Sequence, residues 1–298
     1  MNGLYKITSN GEGHRNKLSR TEVVSVFYHN IFDYPLSFAD LIKWDVSNKY
    51  EAGTHKLNIL YKNNYYFLNG REGLVYKRAL RERISVQKMK IARKAAKILS
   101  LVPGIKMVAI TGSLAMGNAV DSSDIDLMII TKKRLLWTTR IFAYMVIHAF
   151  GLSTRKPNDF RQQDKLCLNM WVDESDLIWR SPRNIYTAHE IAQIIPLVNK
   201  DKIYERFLYQ NRWIRNFWPN AVRIGSKNQV SGSTNQAERT VIHDTVYLLQ
   251  SIIEKVALKI QVIYMQKKIT NETITTTRAI FHPYDPGKSI LTRLHALD

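Results

Sequence analysis

Two aspartates, Asp124 and Asp126, stand one residue apart in ITGSLAMGNAVDSSDIDLMII, residues 110–130. The stretch is otherwise largely apolar, and a Gly112-Ser113 step precedes the pair. KMVAIT reads as a buried strand that ends at this step, LAMGNAV as a short helix, DSSD as a turn and IDLMII as a second strand. Side chains alternate along a strand, so Asp124 and Asp126 point to one side while Ile125 and Leu127 point to the other. Two carboxylates so placed repel one another, and a divalent cation relieves the repulsion. Mg²⁺, or Mn²⁺ in its place, takes carboxylate oxygens together with substrate phosphates. Two such ions can activate an attacking oxygen and stabilise a leaving pyrophosphate. Gly112 permits close backbone approach, and Ser113 at a helix start can hydrogen-bond a phosphate. A strand end with two exposed aspartates would carry the same pair. The Gly-Ser step and the apolar strands on both sides favour metal and nucleotide phosphate.

The elements that must hold these residues are legible on both sides. Residues 78–101, RALRERISVQKMKIARKAAKILSL, have one apolar stripe at helical spacing through Ile84, Ile91, Ala95 and Ile98. Arg78, Arg81, Arg83, Lys88, Lys90, Arg93, Lys94 and Lys97 stand around it against Glu82 alone. So lopsided a run suits a phosphate-tracking face, although a solvated face reads the same way. A second helix is expected over 135–150 and a further strand at KLCLNMWV, 165–172.

The run TGSLAMGNAVDSSDIDLMII resembles the signature of the polymerase-β-like nucleotidyltransferase superfamily: an apolar strand, Gly-Ser, about a dozen residues, then Asp-x-Asp on a strand. The resemblance is close over about 105–131 and extends as a domain over about 80–175. It implies a mixed α/β sheet, Mg²⁺ (or Mn²⁺) at Asp124 and Asp126, and a nucleoside triphosphate substrate near Gly112 and Ser113. Members of this superfamily carry a third carboxylate on a later strand. The matching strand here, DKLCLNMWVDESD, offers Cys167 and Asn169 at its centre, which alternation places on a face with Trp171 and Asp173. Asn169 is read as filling that slot, with Asp173 and Asp164 as the alternatives. An amide oxygen can coordinate a cation but cannot take a proton, so enzymatic turnover stays open where nucleotide binding is expected.

Toward the N-terminus, residues 1–19 read as a flexible arm. TEVVSVFYHNIF and a short helix after Ser37 precede GTHKLNILYKNN, read as a third helix. YYFL and LVYK around an NGREG turn read as a hairpin. Three helices and a hairpin are the order of a winged helix, used on nucleic acid or for packing. Beyond residue 181 the pattern reads as helical. It includes 187–195, 201–217 and a long helix with Leu249, Ile252, Ile253, Val256, Ile260 and Ile263 on one face. GSKNQVSGSTNQ, 225–236, reads as a loop and ITNETITTTR as irregular. His189-Glu190 matches no metal spacing and reads as a helix surface or a packing pair, with lining of the cleft as the lesser alternative. Trp213 and Trp218 read as core anchors.

Composition bounds the partners. The chain has 298 residues, 45% of them apolar, with 44 Lys and Arg against 25 Asp and Glu, a formal charge of +19. That excess suits a polyanionic partner such as RNA or DNA. One cysteine excludes an internal disulfide and a cysteine zinc site. The polar N-terminus lacks a secretory apolar core, and LLWTTRIFAYMVIHAFGL, interrupted by Arg140 and His148, falls short of the roughly 20 residues that span a bilayer. The expectation is a cytoplasmic α/β (α+β) protein without membrane contact. It would comprise an arm (1–19), a winged-helix-like domain (20–77), a nucleotidyltransferase domain (78–180) and a helical C-terminal domain (181–298). The reaction expected is transfer of a nucleoside monophosphate to a hydroxyl of RNA, protein or a small molecule. The alternative is a nucleic-acid-binding or nucleotide-sensing regulator. The acceptor, the preferred base and the oligomeric state have no signature in these residues.

Overall fold

A computed structural model describes residues 5–6, 8–9, 17–48, 58–156, 161–226, 241–265, 273–281 and 286–295. Its centre is a six-stranded mixed sheet, order β10-β7-β8-β9-β12-β11. The strands are β7 (Ile105–Ile110), β8 (Ile125–Thr131), β9 (Leu166–Asp173), β10 (Ile195–Asn199), β11 (Thr273–Ile274) and β12 (Arg278–Ile280). Only β8 and β9 run parallel. Their crossover carries α5 (Leu136–Ala149), as a parallel pair requires.

Both faces of the sheet are covered, which is why its strands read as near-continuous apolar runs. On one face Val108, Ile110, Ile125, Leu127, Ile129 and Trp171 pack with α3 (Gly73–Leu99), α5 and Ala257 of α8 (Val241–Met265). On the other, Met107, Ala109, Met128, Ile130 and Val172 meet α1 (Arg20–Asn30), α6 (Ile185–Ala192), α7 (Ile203–Gln210) and the 3-10 turn Arg212–Asn216. Trp218 is fully buried there and donates to the carbonyl of Ile185, so it is the anchor its sequence context suggests; Trp213 is partly buried against it.

The N-terminal unit is joined to this core through α1. Val24 and Tyr28 of α1 face the sheet, while Val23 and Val26 pack with Leu36, Leu41, Ile59 and Tyr66. The hairpin is β5 (Ile59–Lys62) against β6 (Tyr65–Leu68), displaced from the expected one. Its turn is Asn63-Asn64, both at positive φ, a conformation asparagine tolerates and two-residue hairpins demand. GTHKLNILYKNN is therefore a strand at its described end, with residues 49–57 outside the described set. LVYK begins α3, which runs unbroken across the expected boundary at residues 77 and 78. In the expected arm, β1 (Tyr5–Lys6) pairs with β3 (Lys17–Leu18) and β2 (Thr8–Ser9) with β5, and Leu18 is fully buried.

The C-terminal third is not wholly helical. Residues 195–199 form an edge strand on β7, and part of the threonine-rich stretch forms β11 and begins β12. The long helix α8 docks through its polar stripe rather than through the apolar face of Leu249 and Ile253. Glu254 accepts from the backbone N–H groups of Trp137 and Thr138 at the start of α5, at 2.5 and 3.0 Å, and Gln261 pairs with Arg140 and the Trp137 carbonyl. Free N–H groups at a helix start take a carboxylate readily, so the polar stripe of α8 turns inward. Leu249, Ile252, Ile253, Val256, Ile260 and Ile263 are exposed. The loop expected over 225–236 lies almost wholly outside the described residues.

Candidate functional site

The end of β7, the start of α4 (Gly112–Ala115), the entry to β8 and the first half of β9 meet at one end of the central strands of the sheet. Gly112 has φ +61°, and a Cβ on it would lie 2.7 Å from Oδ2 of Asp126. Only glycine gives both this backbone and this clearance. Ser113 is exposed beside it. The N–H of Thr111 donates to the carbonyl of Asp126 at 3.1 Å, tying the two strand ends together. Asp124 stands one residue before β8 rather than in it.

What fixes that approach is Lys88 of α3, 2% exposed. Its ammonium donates to the carbonyls of Asp121 and Ser123, at 2.9 and 2.8 Å, and to Oδ1 of Asp164 at 2.7 Å. Lys88 is thus a buried clamp, not part of a phosphate-tracking face, and Asp164 is occupied as its partner. Arg78 is also turned inward, onto Asp40, Glu82 and the carbonyl of Pro35. Arg83, Lys90, Arg93, Lys94 and Lys97 remain exposed.

A bulge in β9 decides which residue faces Asp126. Asp126 is opposite Cys167 and Met128 is opposite Met170, so β9 spends one extra residue between them. Asn169 thereby stays with Cys167 on the Asp126 side, and Trp171 passes to the opposite core. Asn169 Nδ2 donates to Asp126 Oδ1 at 3.0 Å. Asp173 is level with Thr131, five residues along β8 from Asp126, and accepts from the backbone of Arg134 and from Ser175. Of the three candidates for the later-strand position, only Asn169 reaches the pair.

Asp126, buried first of all and facing the charge of Asp124, is pushed up to about 6; the Cys167 thiol, Arg155 and Asn169 pull the other way. Ligand atoms of Asp124, Asp126 and Cys167 lie within 4.8 Å of one another. Burial and the two carboxylates push the Cys167 thiol far up, so it stays protonated. A neutral thiol is a poor ligand for a hard cation, whereas the carboxylates suit one. The Oδ1 of Asn169 is buried without a hydrogen-bond partner, beside those carboxylates. Such an atom is costly unless something binds it, and the donor set therefore fits Mg²⁺ or Mn²⁺.

Residues 93–181 match the family model described as Polymerase beta, Nucleotidyltransferase. This segment is a polymerase-β-type nucleotidyltransferase domain. No curated protein and no solved structure gave a match. The matched residues contain the Gly112-Ser113 turn, both aspartates and all of β9.

Two further residues bear on this cluster, Arg155, which the sequence does not signal, and Glu190, for which lining of the cleft is the lesser reading. Arg155 Nη1 lies 3.0 Å from Asp124 Oδ2 and 3.8 Å from Cys167 Sγ. It falls in a stretch without periodicity. Glu190 comes from α6 on the Asp126 face of the sheet. Burial, and then the charge of Asp126, raises its carboxyl to about 7, and Gln193 donates to it at 2.8 Å. Its neighbour His189 is a packing residue, set in tilted and edge-on contact among Trp44, Trp218 and Tyr28 with Nε2 3.2 Å from that of His29. No helix among the described residues is long and apolar enough to cross a membrane.

Proposed function

We propose that this chain binds a nucleoside triphosphate over Mg²⁺ (or Mn²⁺) and transfers the nucleoside monophosphate to a hydroxyl, releasing pyrophosphate. The observation that carries this reading is the fit between Gly112 and Asp126, a glycine turn pressed to the carboxylate that would hold the metal. Asp124 and Asp126 hold the cation, Asn169 offers its free Oδ1 to it, and the turn at Gly112 and Ser113 donates hydrogen bonds to the phosphates. Bound there, the cation supplies charge stabilisation to the phosphoryl group and the leaving pyrophosphate. Asn169 orients Asp126 through its N–H but takes no proton. Deprotonating the acceptor therefore falls to Glu190, to water or to the substrate, and a positioned base is worth about 10²–10⁴-fold. Transfer to ordinary hydroxyls should be slow.

That same Asn169 favours a second reading, a cytoplasmic nucleotide sensor that regulates through nucleic acid. The exposed cations of α3 and the helix-and-hairpin N-terminal unit would then supply a winged-helix surface for RNA or DNA. The test is incubation with each labelled nucleoside triphosphate and Mg²⁺, with and without total RNA. Label in RNA, protein or a small molecule supports transfer. Binding without any transfer favours the sensor, and absence of both rejects the two together.

A further inference from the structure

The Asp124 carboxylate already holds a cation of the chain's own. Arg155 Nη1 is 3.0 Å from its Oδ2, and the Arg155 side chain is 38% exposed. The backbone around it is fixed: Arg155 N–H donates to the Leu166 carbonyl and Leu166 N–H to the Ser153 carbonyl, both at 2.9 Å. Thr154 bridges Leu166 in parallel, and Leu166 is in register with Ile125, between the two aspartates. The start of β9 thus sets the position of the guanidinium and of the carboxylates at once.

Resting on the metal-and-nucleotide reading above, we infer that Arg155 is an exchangeable counter-ion: the divalent cation displaces its guanidinium from Asp124, and it then engages the triphosphate. Charge and geometry both require a second place for it. Two carboxylates with one guanidinium leave one negative charge, which a divalent ion over-compensates if the guanidinium stays. A guanidinium on the same oxygen also obstructs a metal that needs that oxygen. The unpartnered Oδ1 of Asn169, in a residue 8% exposed, points independently to a cation at Asp126, beside the displaced group. The anion that follows the metal is a polyphosphate, and the planar fork of arginine pairs with phosphate oxygens in bidentate fashion. Arg155 would therefore hinder metal alone and assist metal with nucleotide, a device that keeps the site from filling without substrate.

The experiment compares the full chain with Arg155→Gln and Arg155→Lys. Calorimetry follows Mn²⁺ alone, then each Mg²⁺-triphosphate and its monophosphate, and circular dichroism checks the fold. Removing the competitor should tighten Mn²⁺ by up to about fivefold, the range of a partly exposed ion pair. Mg²⁺-triphosphate should weaken by about tenfold or more, the monophosphate less, with lysine between. Both affinities falling together would make Arg155 a structural residue, and both unchanged would make its ion pair incidental. Tighter Mn²⁺ with unchanged triphosphate would overturn the phosphate role. If the wild type binds triphosphate through Asp124 and Asp126 yet ignores Arg155, this inference alone fails. If the wild type binds no triphosphate, the underlying reading fails with it.

Discussion

The Cβ that Gly112 lacks would sit 2.7 Å from Oδ2 of Asp126. The nearest obstacle is the end of a side chain rather than backbone, so a methyl group there displaces the carboxylate before it disrupts the fold. Gly112→Ala should cost about 1–2 kcal/mol for the positive φ and weaken Mg²⁺-nucleotide binding far more than that loss implies. Urea melts beside calorimetry separate the two effects. Retained nucleotide affinity would mean that the turn does not serve the site.

Asn169 donates to Asp126, and replacing it by aspartate sets a third carboxylate against two. Asn169→Asp should lower the stability of the metal-free protein and enlarge its stabilisation by Mg²⁺, because ligand binding to the folded state adds to stability. Transfer, where present, should accelerate. Thermal melts across Mg²⁺ concentrations check this. A variant no more responsive to Mg²⁺ than the wild type would place the metal away from Asn169.

Lys88 uses its ammonium on two carbonyls just before Asp124 and on the carboxylate of Asp164. Lys88→Met removes a buried ammonium with its three hydrogen bonds, at about 1–3 kcal/mol, and frees the approach to β8. We expect weaker Mn²⁺ binding together with the stability loss. Unchanged metal affinity in a destabilised variant would confine Lys88 to the fold.

The His29–His189 pair gives stability a pH dependence. Burial holds His29 down to about 4, against help from the Ser25 carbonyl and Asp40 and with Arg78 and Lys43 opposing a charge; burial also holds His189 well below its usual value. The unfolded chain takes up these protons near 6.5, the native one does not. The His29 contribution should be full above pH 6.5, decline as pH falls and be lost by about 4, roughly 3 kcal/mol; that of His189 declines in the same direction. Melting temperatures between pH 7.5 and 4 measure it, and His29→Gln should flatten the slope. An unaltered slope in that variant would assign the pH dependence to other groups.

How much of this the sequence contained depends on the range of the forces involved. Asp124, Asp126, Gly112 and Ser113 are local, and their spacing on two strands and a turn was enough to bring them together. Strand alternation puts Asn169 on the face where it meets Asp126, but it puts Asp173 there too, because alternation cannot reveal the bulge at 168–169. Asn63-Asn64 was a legible hairpin signal that the later Asn-Gly obscured. Arg155 and the inward polar stripe of α8 have no local signal, and Glu190 has only a weak one. Each is set by a tertiary partner: Asp124, the face carrying Asp126, and the start of α5.

The measurement closest to the central claim is calorimetric titration of the chain with each nucleoside triphosphate, in Mg²⁺ and in EDTA, beside the Asp124→Asn, Asp126→Asn double variant. The account predicts binding in Mg²⁺ that EDTA abolishes, and its loss in a double variant whose circular dichroism matches the wild type. Equal affinity in EDTA, or in the folded double variant, would contradict it.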